Sequence, residues 1–156
     1  MKRIVDKLKS LNKTISTMES CTGGGVANSI TNIEGASEVI KFSAVTYSNE
    51  FKIKMGVSSD VIDKYSVYSM ETAIEMSKHI SEFTSSNYGL GITGKLNCTD
   101  KNNLYSSDNR VYISIYNKDI DKFYNYEIDV NKETRKENKE EIIDFIIEKL
   151  LEVLGD

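Results

Sequence analysis

Two short stretches hold the residue types that perform covalent chemistry. The first is Glu19-Ser20-Cys21-Thr22-Gly23-Gly24-Gly25; the second is Gly35-Ala36-Ser37 followed by Val45-Thr46-Tyr47-Ser48-Asn49-Glu50-Phe51-Lys52. The single histidine, His79, is expected in mid-helix, and the two cysteines, Cys21 and Cys98, form no CxxC pair. A Ser–His–Asp triad, a His-based metal site and a disulfide framework are therefore poor fits. A serine hydrolase built from these residues needs another base. Lysine serves when burial or a neighbouring donor lowers its pKa. A tyrosine beside the pair can orient the lysine or relay a proton, and backbone N–H groups at a Gly-rich corner can supply an oxyanion hole. By residue type alone, Ser37 also reads as a helix cap and Lys52 as a solvated lysine.

The Gly-rich turn matches neither GxxxxGK[ST] nor GxGxxG. What it offers is a run of small residues opening a helix, where unpaired N–H groups and the helix dipole favour an anion. Ser20 and Thr22 add hydroxyls. The bland alternative is a tight turn with Ser/Thr capping, and Cys21 reads as a small thiol packed behind it.

These stretches need elements to position them. Lys2–Leu11 has helical spacing at Ile4, Val5, Leu8 and Leu11. Thr14–Met18 reads as a strand entering the Gly-rich turn, Val26–Asn32 as the helix that leaves it, and Phe42–Ser48 as a second strand. A helix carrying Phe51, Lys52, Ile53 and Met55 follows. Ser58-Ser59-Asp60 caps a short helix to Tyr65, and Ser69 a longer one whose Ala73, Ile74, Met76, Ile80 and Phe83 keep helical period. Tyr88–Thr93 is a glycine-containing strand. Val111–Tyr116 and Phe123–Val130 pair antiparallel, the latter with one wet face, and a helix runs from about Lys132 to Leu154. The polar loop from Gly94 to Asn109 is long enough to act as a flap. Strands interleaved with helices over 156 residues, without repeat or linker, predict one α/β domain spanning 1–156.

The formal charge of −4, with both signs interspersed, argues against a nucleic-acid or anionic-membrane surface. Bound phosphate is then expected to be held locally, by a loop or one or two cations. No segment is apolar enough to span a bilayer, and the N-terminus reads as an amphipathic helix rather than a signal peptide, so a cytoplasmic location with free thiols is expected.

The string ESCTGG (Glu19–Gly24), GxS (Gly35–Ser37), VTYSNExK (Val45–Lys52) with MGV (Met55–Val57), and YSxE (Tyr68–Glu71) together resemble the CinA C-terminal domain family, which includes bacterial nicotinamide mononucleotide deamidases. The likeness is close from Met18 to His79 and looser towards the C-terminus. It implies a three-layer α/β/α sandwich with a mixed, mostly parallel sheet. It also implies hydrolysis of the carboxamide of nicotinamide mononucleotide to nicotinic acid mononucleotide and ammonia, with no metal or cofactor. Carried over by position, Ser37 is the expected nucleophile, Lys52 its base and Tyr47 the residue assisting them. Ser20, Thr22, Gly23 and Gly24, with Gly25, are expected to bind substrate at the pocket floor. Thr93 is expected on the strand that closes the pocket, and Arg135 as a phosphate-gripping fork. The expected partner is a small nucleotide, and the expected assembly a homodimer or higher homo-oligomer.

One segment departs from the pattern. Where the family carries a Gly-Ile-Ala-Gly-Pro-Asp-Gly-Gly type loop, this chain has Gly94-Lys95-Leu96-Asn97-Cys98-Thr99-Asp100, and it has no proline at all. Lys95 places a cation where resembling proteins are apolar, and Lys139 stands where a second arginine is usual. A nucleotide-binding or interaction module that has lost turnover is therefore the alternative to a working amidase.

Overall fold

In the computed structural model, which describes residues 1–97 and 109–155, a five-stranded sheet has the order β2-β1-β3-β4-β5. The chain runs α1 (Lys2–Ser10), β1 (Ile15–Glu19), α2 (Gly25–Thr31), β2 (Ile40–Val45), α3 (Asn49–Lys54), α4 (Ser59–Tyr65), α5 (Met70–Thr84), β3 (Tyr88–Gly94), β4 (Arg110–Asn117), β5 (Lys122–Asp129) and α6 (Arg135–Leu154), with short 3₁₀ turns at Ala36–Glu38 and Lys118–Ile120. β2, β1 and β3 are parallel, β4 is antiparallel to β3, and β5 to β4. Four of the five strands thus point the same way, as expected of a mixed, mostly parallel sheet between helical layers.

Hydrophobic period assigns the layers. Ile4, Val5 and Leu8 of α1, Val26 and Ile30 of α2, and Ile142, Ile146 and Leu150 of α6 share one core with Ile15, Leu90, Ile92, Val111, Ile113 and Ile115 of the sheet. The opposite face holds a smaller cluster of Met18, Val57, Met76 and Ile80. There α5 lies unusually close, because β3 presents Gly89 and Gly91 to it. A Cβ at Gly89 would stand 1.9 Å from the Ser77 carbonyl oxygen, and one at Gly91 2.3 Å from that of Ala73. Hydroxyls fill this tight seam: Ser16 with Ser86 at 2.6 Å and Ser77 with Ser114 at 2.9 Å.

The connections decide where a site forms. α2 carries the chain from β1 to its neighbour β2 across one face, whereas α3–α5 carry it from β2 over β1 to β3 on the other. The end of β1 is therefore a switch point, where diverging connections leave a crevice beyond the carboxyl ends of the strands. Ser20 follows β1 directly.

Boundaries differ from expectation by a few residues. α6 begins at Arg135 rather than Lys132 because Thr134 caps it: the Glu137 amide donates to Thr134 Oγ1, and the Glu137 carboxylate accepts from the Thr134 amide. β2 ends at Val45 rather than Ser48, which caps α3 by accepting from the Phe51 amide. Most of the expected flap, and with it Cys98, lies outside the described residues.

Gly91→Ala is expected to cost about 1–3 kcal/mol in urea denaturation, because the new methyl group meets helix backbone that cannot turn aside.

Candidate active site

Glu19, Ser20 and Lys52 organise the carboxyl end of β1. Glu19 is fully buried and turned towards α2: its Oε1 accepts from Thr22 Oγ1 at 2.7 Å and the Val26 amide at 3.0 Å, its Oε2 from the Ala27 amide at 3.0 Å and Thr17 Oγ1 at 3.2 Å. A carboxylate seated on the first amides of a helix satisfies donors that would otherwise be orphaned and meets the positive end of the dipole. The turn between them is closed by Gly23 and Gly24 at φ of +61° and +89°, a conformation that glycine adopts without strain.

Lys52 is 1% exposed, among the largest fully buried side chains of the protein. α3 carries it inward, where Nζ donates to the Thr46 carbonyl at 2.6 Å and lies 3.1 Å from Ser20 Oγ. Thr46 is itself fixed by its amide, which donates to the Glu19 carbonyl at 2.9 Å. Burial pulls the Lys52 ammonium down to about 8, since an apolar surround disfavours its charged form. The neighbouring Cys21 thiol is pushed up to about 12, chiefly by burial, and so is a poor nucleophile at neutral pH.

Around this pair lies a cavity of about 250 Å³ lined by Ser20, Cys21, Tyr47, Asn49, Lys52, Val67, Tyr68, Gly94, Lys95, Leu96 and Arg135. Arg135, on the first turn of α6, donates to the Leu96 carbonyl and, at 3.1 Å, to Tyr47 Oη. Asn138 braces the same corner, accepting from the Lys132 amide at 2.8 Å and donating to Asn97. Lys95 is largely buried, with Nζ 4.8 Å above the Tyr68 ring.

Of the residues expected from the sequence, the structure gathers Ser20, Lys52, Tyr47 and Arg135. It does not bring Ser37 to them. Ser37 sits in the 3₁₀ turn before β2 and lines a different concavity, with Ala27, Thr31 and Phe42 among its walls. Lys52 follows the far end of that strand, and the six residues of β2 span roughly 15–20 Å. The serine beside the lysine within this chain is Ser20, which corrects the expected pairing. Tyr47 also changes partner: its hydroxyl meets Arg135, and the tyrosine is 63% exposed at the pocket rim.

Thr22, Gly23, Gly24 and Thr93 do not line the cavity. Thr22 holds Glu19, and Thr93 Oγ1 donates to the Val67 carbonyl at 2.8 Å, tying β3 to the segment before α5. Nor is the α2 N-terminus a vacant anion cradle, because the Val26 and Ala27 amides are taken by Glu19. The Ser20, Gly23 and Gly25 amides are likewise engaged by the carbonyls of Ile92, Ser20 and Thr22. Sequence reasoning missed the inward role of Glu19 and the place of Asn49 in the pocket wall; the only signal was their presence inside the two quoted strings.

The CinA C-terminal domain model matches residues 1–154. The chain belongs to the CinA C-terminal domain family. A CinA-like protein of Kosmotoga olearia is 45% identical over 92 residues, covering 58% of this chain and 22% of that protein. One of Endomicrobium trichonymphae is 43% identical over 83 residues, covering 53% and 19%. The chain thus spans about a fifth of the length of the curated relatives it matches. The crystal structure of the competence/damage inducible protein CihA from Agrobacterium tumefaciens superposes with a TM-score of 0.88 at 25% identity, covering 99% of this chain and 92% of that one. That of a competence or damage-inducible protein from Enterobacter asburiae superposes at 0.89 and 21%, covering 98% and 94%, and shows the shared CinA fold. Among the described residues no helix is long and apolar enough to cross a membrane, and no three metal-ligating side chains cluster.

A buried lysine makes stability pH-dependent in a definite direction. Its folded value near 8 lies below the ordinary 10.5, so the folded chain holds fewer protons between those values and Lys52 destabilises least at high pH. Relative to Lys52→Met, wild-type stability is expected to rise from pH 8 to 10.5 by on the order of 3 kcal/mol; urea denaturation of both proteins across that range measures it.

Proposed function

We propose that this CinA-family chain is an amidohydrolase that converts nicotinamide mononucleotide to nicotinic acid mononucleotide and ammonia, with Ser20 as nucleophile and Lys52 as its base. The observation that carries this reading is the 3.1 Å separation of Lys52 Nζ and Ser20 Oγ in a buried setting. The family resemblance supplies the substrate class.

An unassisted serine hydroxyl is too weak a nucleophile for an amide, and a fully protonated lysine cannot accept its proton. With Lys52 lowered to about 8, roughly a tenth of the molecules carry the neutral amine at pH 7. In that form Nζ keeps its donor to the Thr46 carbonyl and turns its lone pair to the Ser20 hydroxyl. Ser20 Oγ then bonds to the carboxamide carbon as its proton passes to Lys52. The resulting lysinium returns that proton to the departing nitrogen, the C–N bond breaks, and ammonia leaves an acyl ester on Ser20. Water attacks the ester carbon, Lys52 takes the water's proton and delivers it to Ser20 Oγ, and the carboxylic acid departs. Each proton is shuttled by one buried amine, so no net acid or base is consumed on the enzyme. Cys21 lines the pocket wall and takes no covalent part.

Ammonia release from nicotinamide mononucleotide tests this directly. Ser20→Ala and Lys52→Met are each expected to lower kcat by about 10³-fold or more, whereas Ser37→Ala retains activity. Loss of turnover in Ser37→Ala with retention in Ser20→Ala would return the nucleophile to Ser37. No turnover by folded wild-type protein that still binds the nucleotide would favour a binding module. The wild-type kcat should also rise with pH to a plateau above about 8, because the neutral amine is the working form.

A further inference from the structure

An amidase working in a basic pocket makes a product that the pocket attracts. Lys52, Lys95 and Arg135 line the cavity at the end of β1, and among the described lining residues none is acidic. A carboxamide and the carboxylate that replaces it have nearly the same size and shape. They differ in charge and in hydrogen bonding: the carboxamide presents two N–H donors and an acceptor oxygen, the ionised acid acceptors only. Cations by themselves favour the acid. Selection of the amide calls for a neutral side chain that offers a donor and an acceptor side by side.

Asn49 is such a side chain. It is the first residue of α3 and lines the cavity. Lys52 follows three residues later, so one side of the helix brings both to the same space. Ser48 holds that turn in place: its Oγ accepts from the Phe51 amide at 3.2 Å and its carbonyl from the Lys52 amide at 3.1 Å. Around Asn49 the Ser20 hydroxyl is engaged with Lys52, Lys52 with the Thr46 carbonyl, and Arg135 with Tyr47 Oη and the Leu96 carbonyl. Among the described residues the Asn49 side chain has no hydrogen-bond partner. Its amide is therefore available to a ligand within one helical turn of the base.

We infer that Asn49 is a specificity-determining residue whose amide pairs with the carboxamide of the substrate, so that the pocket holds the amide and releases the acid. This assignment rests on the proposal that the cavity is the substrate site. Two primary amides are self-complementary: Asn49 Oδ1 accepts from the carboxamide N–H while Nδ2 donates to the carboxamide oxygen. Against the acid, Nδ2 keeps a bond but Oδ1 faces a second acceptor. The amide thus makes two bonds where the acid makes one and meets a repulsion. A polar group left unpaired by an analogue is what lets a site reject it. Once ammonia has left and water has resolved the ester on Ser20, that mismatch offsets the pull of the cations on the product.

Titration calorimetry on the whole chain tests the assignment with two amide–acid pairs: nicotinamide mononucleotide against nicotinic acid mononucleotide, and nicotinamide against nicotinate. The Ser20→Ala variant serves as the background so that nothing is turned over. Adding Asn49→Ala should weaken the amide of each pair by about three- to tenfold and change the acid by less than about twofold. Adding Asn49→Asp should reverse that order and weaken the acid more, by about tenfold or more, because like charges then face each other. A structural role alone would weaken both members alike in both variants, and an unchanged circular dichroism spectrum would show that the variants are folded. If either amide shows the Asn49-dependent preference while wild-type protein does not deamidate nicotinamide mononucleotide, the amidase reading fails and the role of Asn49 stands. Equal weakening of amide and acid, no effect of Asn49→Ala, or no binding of either amide by the folded Ser20→Ala protein would overturn the inference.

Discussion

An ammonium group drawn out of water governs this site. Lys52 Nζ is left with a carbonyl oxygen and a hydroxyl as its recorded partners, an arrangement that compensates poorly for lost hydration. The strain shows as a lowered proton affinity rather than as a broken fold, because the cation can discharge by losing its proton. The surroundings keep it there: α3 points it inward, and the Thr46 amide bonded to the Glu19 carbonyl fixes the oxygen it meets. A better-solvated lysine would add stability but stay protonated at neutral pH, with no free amine to accept a proton. The cost of burial and the chemistry it allows are one effect seen from two sides.

The second charge in the site works in the opposite sense. Glu19 is buried but surrounded by donors: two hydroxyls and two helix amides. It makes the ESCTGG turn self-contained, since the helix end that a phosphate would occupy carries an internal carboxylate. Ser20 is presented at the crevice with its hydroxyl beside Lys52, while the Thr22 hydroxyl is turned to Glu19 and the Gly23 and Gly25 amides to backbone carbonyls. On the opposite wall, the end of β3 and the first turn of α6 bring Lys95 and Arg135 to the cavity.

That wall is assembled from distant parts of the chain. Leu96, Asn97, Arg135 and Asn138 meet through hydrogen bonds between segments about forty residues apart. The sheet beneath is rigid: glycines in β3 let α5 sit against the strand, and the hydroxyl pairs in that seam leave few buried groups unpaired. Rigid strand ends beneath a wall built from loop and helix terminus suit a site that must hold the serine–lysine pair while admitting a ligand.

The order of elements was legible in the sequence because hydrophobic period reports directly on which face is buried: Ile4, Val5 and Leu8 mark α1, and Tyr124, Tyr126 and Ile128 mark the covered face of β5. The motif strings likewise marked Ser20, Tyr47 and Lys52, and the Gly-rich turn marked the start of α2. The sequence reading paired Ser37 with Lys52, and the fold pairs Ser20 with it instead. Ser37 and Ser20 both precede it, and spacing along the chain carries no information on which end of a strand each occupies. Parallel pairing of β2 with β1 settles that, placing Ser37 before the start of β2 and Ser20 at the carboxyl end beside the lysine. The same holds for Glu19, which the sequence marks only as part of the ESCTGG string and which the fold buries on the α2 amides. Residue types set the available chemistry by themselves; the tertiary structure decided the partners, because burial and proximity across strands arise only when the sheet has formed.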